Sequence, residues 1–303
     1  MPFFGETIAI VTVLCWTISV QCFGIASKEV GATAVNIVRI TVALLIFSVF
    51  LTIRDGSPIP THFPPEAWNY LLLSGVVGFF IGDYCLFKAL AMMGPRIAML
   101  LQSLSAPAAA IIGWMFLSEN YNLQQWAGIL VTLAGVAIVI LERQPAQSPA
   151  TVKGNQVTAK ALMFSLGGLL GQAGGFVLSK AGMQTADGYL DAFSATQIRA
   201  IAAFFCFILL FTIRGKWRGF GSVLKNRRVM AIIVGGTFVG PFLGVSLSLL
   251  TLHYLSTGVA STLLSLVPVT IIPFAIFLHK EKVSFRAIGG AMVAVAGVGL
   301  LMW

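Results

Sequence analysis

The chain has 303 residues, 58% hydrophobic and 10% charged, with a formal net charge of +9. A soluble domain carries about a quarter charged residues, so this composition excludes a water-soluble globule and indicates a protein that sits in lipid. The mean hydropathy of +0.94 points the same way.

Apolar runs of about 20 residues recur along the chain, each long enough to cross a bilayer as a helix. In chain order they fall at about 5–26, 33–53, 67–92, 96–117, 123–141, 160–181, 188–213, 229–253, 258–278 and 284–303. The runs are continuous and do not alternate apolar with polar residues, which selects helices over a barrel. The expected fold is therefore all-α and integral to the membrane, with ten transmembrane helices. The first segment follows "MPFFGE", which lacks a basic region, so it reads as a retained span and not a cleaved signal. Pro107, Pro241, Pro268 and Pro273 interrupt backbone hydrogen bonding within spans and are expected to kink them.

With ten spans, alternate loops fall on opposite faces. One face collects Lys28, Arg96, Arg143, Lys153, Lys160, Arg214, Lys216, Arg218, Lys225, Arg227, Arg228, Lys280, Lys282 and Arg286; the other holds only Arg54 and Lys180. The positive-inside rule makes the rich face cytoplasmic and places both termini outside. "RGKWRGFGSVLKNRR" (214–228) dominates that face. It reads as an anchor on anionic lipid headgroups, so membrane lipid and not nucleic acid is the expected contact.

The two halves repeat. "NIVRITVALLIFSVFLTIRDG" from Asn36 is echoed by "TQIRAIAAFFCFILLFTIRGK" from Thr196. At a constant spacing of 162 residues, Gly78 and Gly82 match Gly240 and Gly244, Ser103-Leu104 matches Ser265-Leu266, Glu119 matches Glu281, Gly128 matches Gly290 and Gly135 matches Gly297. The expected domains are 1–142 and 158–303, five spans each, joined by a linker at 143–157. An odd number of spans per repeat inserts the second half in the opposite sense. Inverted repeats of this kind are common in secondary transporters, whose solute site lies near the midplane between the halves.

The stretch from Ala89 to Leu141, "ALAMMGPRIAMLLQSLSAPAAAIIGWMFLSENYNLQQWAGILVTLAGVAIVIL", and its echo from Leu249 to Trp303 share a pattern. Small residues are followed by a leucine-rich turn, a proline (Pro107, Pro268), a glutamate at the end of the span (Glu119, Glu281) and then two glycines seven apart. In this the chain resembles the drug/metabolite transporter superfamily, EamA type, over nearly its whole length. The resemblance implies ten helices around a central cavity in the cell membrane, moving small organic solutes outward, often amino acids or related metabolites.

Asp83 and Lys88 lie inside the third run, in "GDYCLFKAL". A charge at the membrane centre costs about 2.5–3.5 kcal/mol on insertion scales, so it generally faces a cavity or a partner. The two are about 140° apart around a helix, a poor geometry for a direct pair. Asp83 reads either as a group that binds a substrate ammonium or carries a coupling proton, or as half of a fixed pair with Arg39 or Arg199. Lys88 reads mainly as a side chain that snorkels to the basic face. Arg39 and Arg199 occupy equivalent places in the halves and could each hold a carboxylate or phosphate in a fork, or anchor a helix end. The other candidates are polar or aromatic residues within spans: Trp16, Gln21, Tyr84, Gln102, Ser105, Gln172, Ser246 and Ser265. Solute sites combine apolar and aromatic walls with a few polar groups, although each residue could equally make an interhelical hydrogen bond. His253 sits at a span end facing water. Cys15, Cys22, Cys85 and Cys206 lie in apolar spans without metal-ligand spacing and read as packing residues.

No metal cluster, nucleotide loop or hydrolase motif appears in the sequence, so it calls for no cofactor and gives little for an enzyme. The leading expectation is a secondary transporter exporting small polar metabolites, with Asp83 available for proton coupling. The alternative is a flippase for lipids or lipid-linked sugars on the same scaffold.

Overall fold

The computed structural model describes residues 3–93, 95–141, 158–186, 188–215, 217, 226–270 and 285–302. They form a helical bundle with a single two-residue hairpin, Gln184–Thr185 against Gly188–Tyr189. Eight helices among the described residues are long and apolar enough to cross a membrane, and Thr257–Thr270 and Phe285–Leu301 are shorter apolar helices. The linker 143–157, most of the basic stretch 214–228, and residues 271–284 with Pro273, Lys280, Glu281 and Lys282 lie outside the described residues. Large apolar side chains such as Ile53 (81% exposed) and Phe285 (94%) cover the outer surface. That pattern suits lipid and would be unstable in water.

Helix α1 (Phe4–Val30) and α2 (Ala32–Asp55) meet at Gly31, whose φ of 82° turns the chain where an L side chain would be strained. A span then runs as α3 (Pro65–Ser74), a π-helical segment (Gly75–Gly82) and α4 (Asp83–Met93). Next come α5 (Pro95–Ser103) and α6 (Ser105–Leu117), broken at Leu104, and then α7 (Leu123–Leu141). Asn122 starts α7 with a reciprocal cap: its Oδ1 accepts from the Gln125 N–H at 2.7 Å, and Gln125 Oε1 accepts from the Asn122 N–H at 3.0 Å.

The second half follows the same course. Helices α8 (Ala159–Met183) and α9 (Ala192–Ile213) precede a span made of α10 (Arg227–Thr237), a second π segment (Phe238–Gly244) and α11 (Val245–Thr251). Helix α12 (Thr257–Leu264) ends in a turn at Ser265–Leu266 before the helix resumes at 267, and α13 covers Phe285–Met302. Thr158, Asp191 and Asn226 cap α8, α9 and α10 by accepting backbone N–H bonds three residues on. The π segments and the helix breaks thus recur at the spacing found in the sequence. Pro107 and Pro268 lie just beyond the breaks, and Pro241 lies inside the second π segment.

Glycine seams set the packing. A Cβ on Gly171 would lie 2.7 Å from Gly82 Cα, and one on Gly175 would lie 2.6 Å from Gly78 Cα, so α8 and the first π segment run backbone to backbone. The second π segment packs its glycines on α1 side chains: a Cβ on Gly240 would lie 2.6 Å from Ser19 Cβ, and one on Gly244 2.6 Å from Trp16 Cδ1. Helices α7 and α13 cross antiparallel, Gly135 against Ala294 and Gly297 against Thr132. Without water to drive helices together, such close backbone contact supplies the dispersion energy that associates them. Hydrogen bonds add to it: Ser74 Oγ donates to Gly175 O at 2.8 Å and meets Ser179 Oγ at 2.7 Å.

Candidate functional site

A cavity of about 400 Å³ opens between the helices, walled by residues from both halves of the chain. Its charged lining residues are Arg39, Asp83 and Arg199. Asp83 begins α4 directly after the first π segment, which rotates it relative to an uninterrupted α-helix. Its Oδ1 accepts from Gln172 Nε2 at 2.8 Å, and its Oδ2 lies 3.6 Å from Arg39 Nη2. The Arg39 guanidinium also sits 5.3 Å from the centre of the Phe23 ring. Asp83 is therefore held from two sides, by one residue of its own half and one of the other. The acceptor demand of Arg39 and the donor of Gln172 neutralise a charge that apolar surroundings would otherwise penalise.

Arg199 is the second cation of the cavity and is only 3% exposed. It lies 4.1 Å from the centre of the Phe79 ring, a cation–π contact. Its Nε is sealed and has no acceptor among the described residues.

Of the residues singled out in the sequence, Trp16, Arg39, Asp83, Gln102, Ser105, Gln172, Arg199 and Ser265 line this cavity. Gln21, Tyr84, Lys88 and Ser246 are not among its lining residues. The Tyr84 hydroxyl accepts from Arg214 Nη2 at 2.7 Å, and Lys88 Nζ lies 5.9 Å from the Tyr84 ring centre, so these three form a group apart from the cavity lining. Ser246 is fully buried, one position beyond the cavity-lining Val245 on a helix face turned elsewhere. Phe23, Phe47, Phe79 and Phe176 also line the cavity and escaped the sequence reading, because aromatic residues are frequent everywhere in this chain.

One end of the bundle is tied by polar contacts. Lys180, expected as a loop charge, is 8% exposed and buried: its Nζ donates to Glu119 Oε1 and Leu255 O, both at 2.8 Å. Glu119 also accepts from the Thr257 N–H at 3.0 Å, Thr257 Oγ1 at 2.6 Å and Tyr121 Oη at 2.5 Å. Burial pushes the Glu119 carboxyl up, but the hydrogen bonds from Lys180, Thr257 and Tyr121 outweigh it and hold the group below its usual range. Burial, and then the bond to Glu119, push the Tyr121 phenol up to about 12. At the same end, Arg54 Nη2 bonds Asp191 Oδ2 at 2.9 Å, and Gln197 Nε2 donates to Pro58 O at 2.7 Å. His253, expected to meet water, is half-buried: it stacks on Tyr189 with ring centres 4.7 Å apart, and its Nε2 is buried.

Comparison with known proteins places this geometry. The model of the EamA-like transporter family matches residues 3–141 and again 159–303. The chain belongs to the EamA-like transporter family. This EamA-family chain is a multi-pass membrane protein with a transporter's role. A segment of 118 residues, 37% of the chain, is 28% identical to an uncharacterized transporter in the cobO 3' region of Sinorhizobium sp. and covers 82% of it. A solved structure, described as the crystal structure of a protein, shares the fold with a TM-score of 0.70 at 14% identity, covering 99% of this chain and 96% of that one.

Proposed function

We propose that this chain exports small polar metabolites, amino acids or related compounds, across the cell membrane by alternating access, with Asp83 as the group through which protons couple to the movement. The observation that carries the reading is the cavity between the halves, with an acid, Asp83, held by one residue from each half. Residues 1–142 and 158–303 act as two five-helix repeats of opposite sense. The recurrence of π segments and helix breaks at one spacing supports this. So does the antiparallel crossing of α7 on α13, which hold equivalent places in the two halves. Packing is reciprocal as well: the third span of each half lies on the first span of the other.

The Glu119–Lys180–Thr257 knot and the Arg54–Asp191 pair both join one half to the other at a single end. We read them as the closed gate of this state, with access from the opposite, basic end. That end is the cytoplasmic one by loop charge, which leaves both termini outside and suits export. Trp16, Gln102, Ser105, Gln172 and Ser265 would contact the solute. Purified protein in liposomes loaded with a mixed pool of amino acids and small metabolites tests the reading, with mass spectrometry following efflux. Selective loss of one or a few polar solutes, faster under an imposed proton gradient, is expected. No selective loss from liposomes holding folded protein would refute it.

A further inference from the structure

The charges of the cavity do not balance, and the surplus has a definite position. This inference rests on reading the cavity as the solute site. Among the described residues its lining carries two arginines and one aspartate, a net charge of one positive. Asp83 accepts a hydrogen bond from Gln172 on Oδ1 and faces Arg39 Nη2 at 3.6 Å through Oδ2. Arg199 is 3% exposed, its Nε has no acceptor among the described residues, and it feels the Asp83 charge only through space. An arginine in the middle of apolar walls without an acceptor is costly. Its Cζ lies 4.1 Å from the centre of the Phe79 ring, a cation–π contact in which the ring accepts no N–H bond as a carboxylate would. A guanidinium presents its N–H donors as a planar fork suited to two parallel bonds with a carboxylate.

We propose that the cavity binds an organic monoanion, whose carboxylate is held by Arg199 and whose apolar body lies among Trp16, Phe47, Phe79 and Phe176. Among the amino acids and related compounds proposed as solutes, this favours those that carry a carboxylate without an ammonium. The ammonium of a zwitterion would need Asp83, and to reach it would stand beside Arg39, 3.6 Å from the same carboxylate. A dianion such as a phosphate monoester would need a second free arginine, and Arg39 is committed to Asp83. Among the described residues, a buried arginine whose Nε lacks an acceptor, aromatic walls and an acid already facing Arg39 together favour a single negative charge on an apolar frame.

Thermal unfolding of the purified full chain tests this with four probes: phenylacetate and hexanoate as monoanions, phenylalanine as the zwitterion and phenethylamine as the cation. Ligand that binds the folded state raises the melting temperature, by more the tighter it binds at a given concentration. The expected order is stabilisation by both monoanions, at least about tenfold weaker binding of phenylalanine, and none of phenethylamine. Arg199→Gln should abolish the stabilisation and Arg199→Lys should keep part of it. The inference is overturned if phenylalanine or phenethylamine binds as tightly as the monoanions. It is equally overturned if neither monoanion stabilises the wild type, or if Arg199→Gln binds them undiminished. The wild-type series needs no substitution, so a misfolded variant leaves the test intact. Anion binding without any solute flux in liposomes would sink the transport reading and keep this one. Flux of polar solutes with no anion binding would do the reverse.

Discussion

The two π segments share a backbone and differ in chemistry. Gly75–Gly82 contains no proline and widens its turn against the glycine face of α8, while Phe238–Gly244 carries Pro241, which lacks the N–H that an α-helical bond would need. The same irregularity thus arises by two routes, which marks it as a demand of the architecture and not an accident of either sequence. The residue that follows differs altogether: Asp83 in the first half, Val245 in the second. Both line the cavity. The scaffold and its cavity arginines, Arg39 and Arg199, repeat, and the acid does not.

Substitutions can break this comparison in graded ways. The largest effect is expected at the seam under the first π segment. Gly171→Leu would push side-chain atoms into the Gly82 backbone and should leave no monodisperse folded protein on size-exclusion chromatography. Gly174→Ala is its control, because a Cβ there meets only Val77 Cγ1 at 3.6 Å. If Gly171→Leu purified normally, the seam would not hold the segment.

Next comes the knot that joins the halves. Lys180→Met strands the Glu119 carboxylate and should cost about 3 kcal/mol, seen in thermal unfolding. Acid probes the same group. The folded Glu119 carboxyl titrates below the ordinary 4.5, so its contribution is complete at neutral pH. The contribution is lost only as pH falls below 4.5 toward the folded value. A melting temperature that already dropped between pH 7 and 5 in the wild type, but not in Glu119→Gln, would contradict this sign.

Smaller still is Ser74→Ala, which removes the bonds to Gly175 O and Ser179 and should cost about 0.6 kcal/mol. The smallest effect sharpens the comparison itself. Pro241→Ala should change stability by less than about 1 kcal/mol and preserve transport, because the equivalent segment is π-helical without a proline. Loss of transport in that variant would show that the proline, and not the widened turn, is needed.

Much of this molecule was legible beforehand, for a physical reason. A bilayer forces every backbone group to bond within its own helix, so long apolar runs have few alternatives. Runs expected at 123–141 and 160–181 appear as Leu123–Leu141 and Ala159–Met183. The π segments were not legible, because a widened turn leaves the apolar run unbroken. The break at Leu104 was legible only as a leucine-rich turn before Pro107, without its position. Asp83 stood out by its cost in lipid, and Arg39 and Gln172 stood out with it. Lys180 misled because charge near a span end usually means a loop. Its partner Glu119 lies 61 residues away, and only the folded chain brings them to 2.8 Å.

The central claim is that the acid found in only one half drives movement of solute through the shared cavity. The most direct measurement is efflux of the solute found in the liposome assay, across a series of imposed proton gradients, for wild type, Asp83→Asn and Val245→Asp. Wild-type flux should rise with the gradient, Asp83→Asn should lose at least about tenfold in rate together with its gradient response, and Val245→Asp should not restore the response when combined with Asp83→Asn. An Asp83→Asn protein that kept both the rate and its dependence on the gradient would contradict the account.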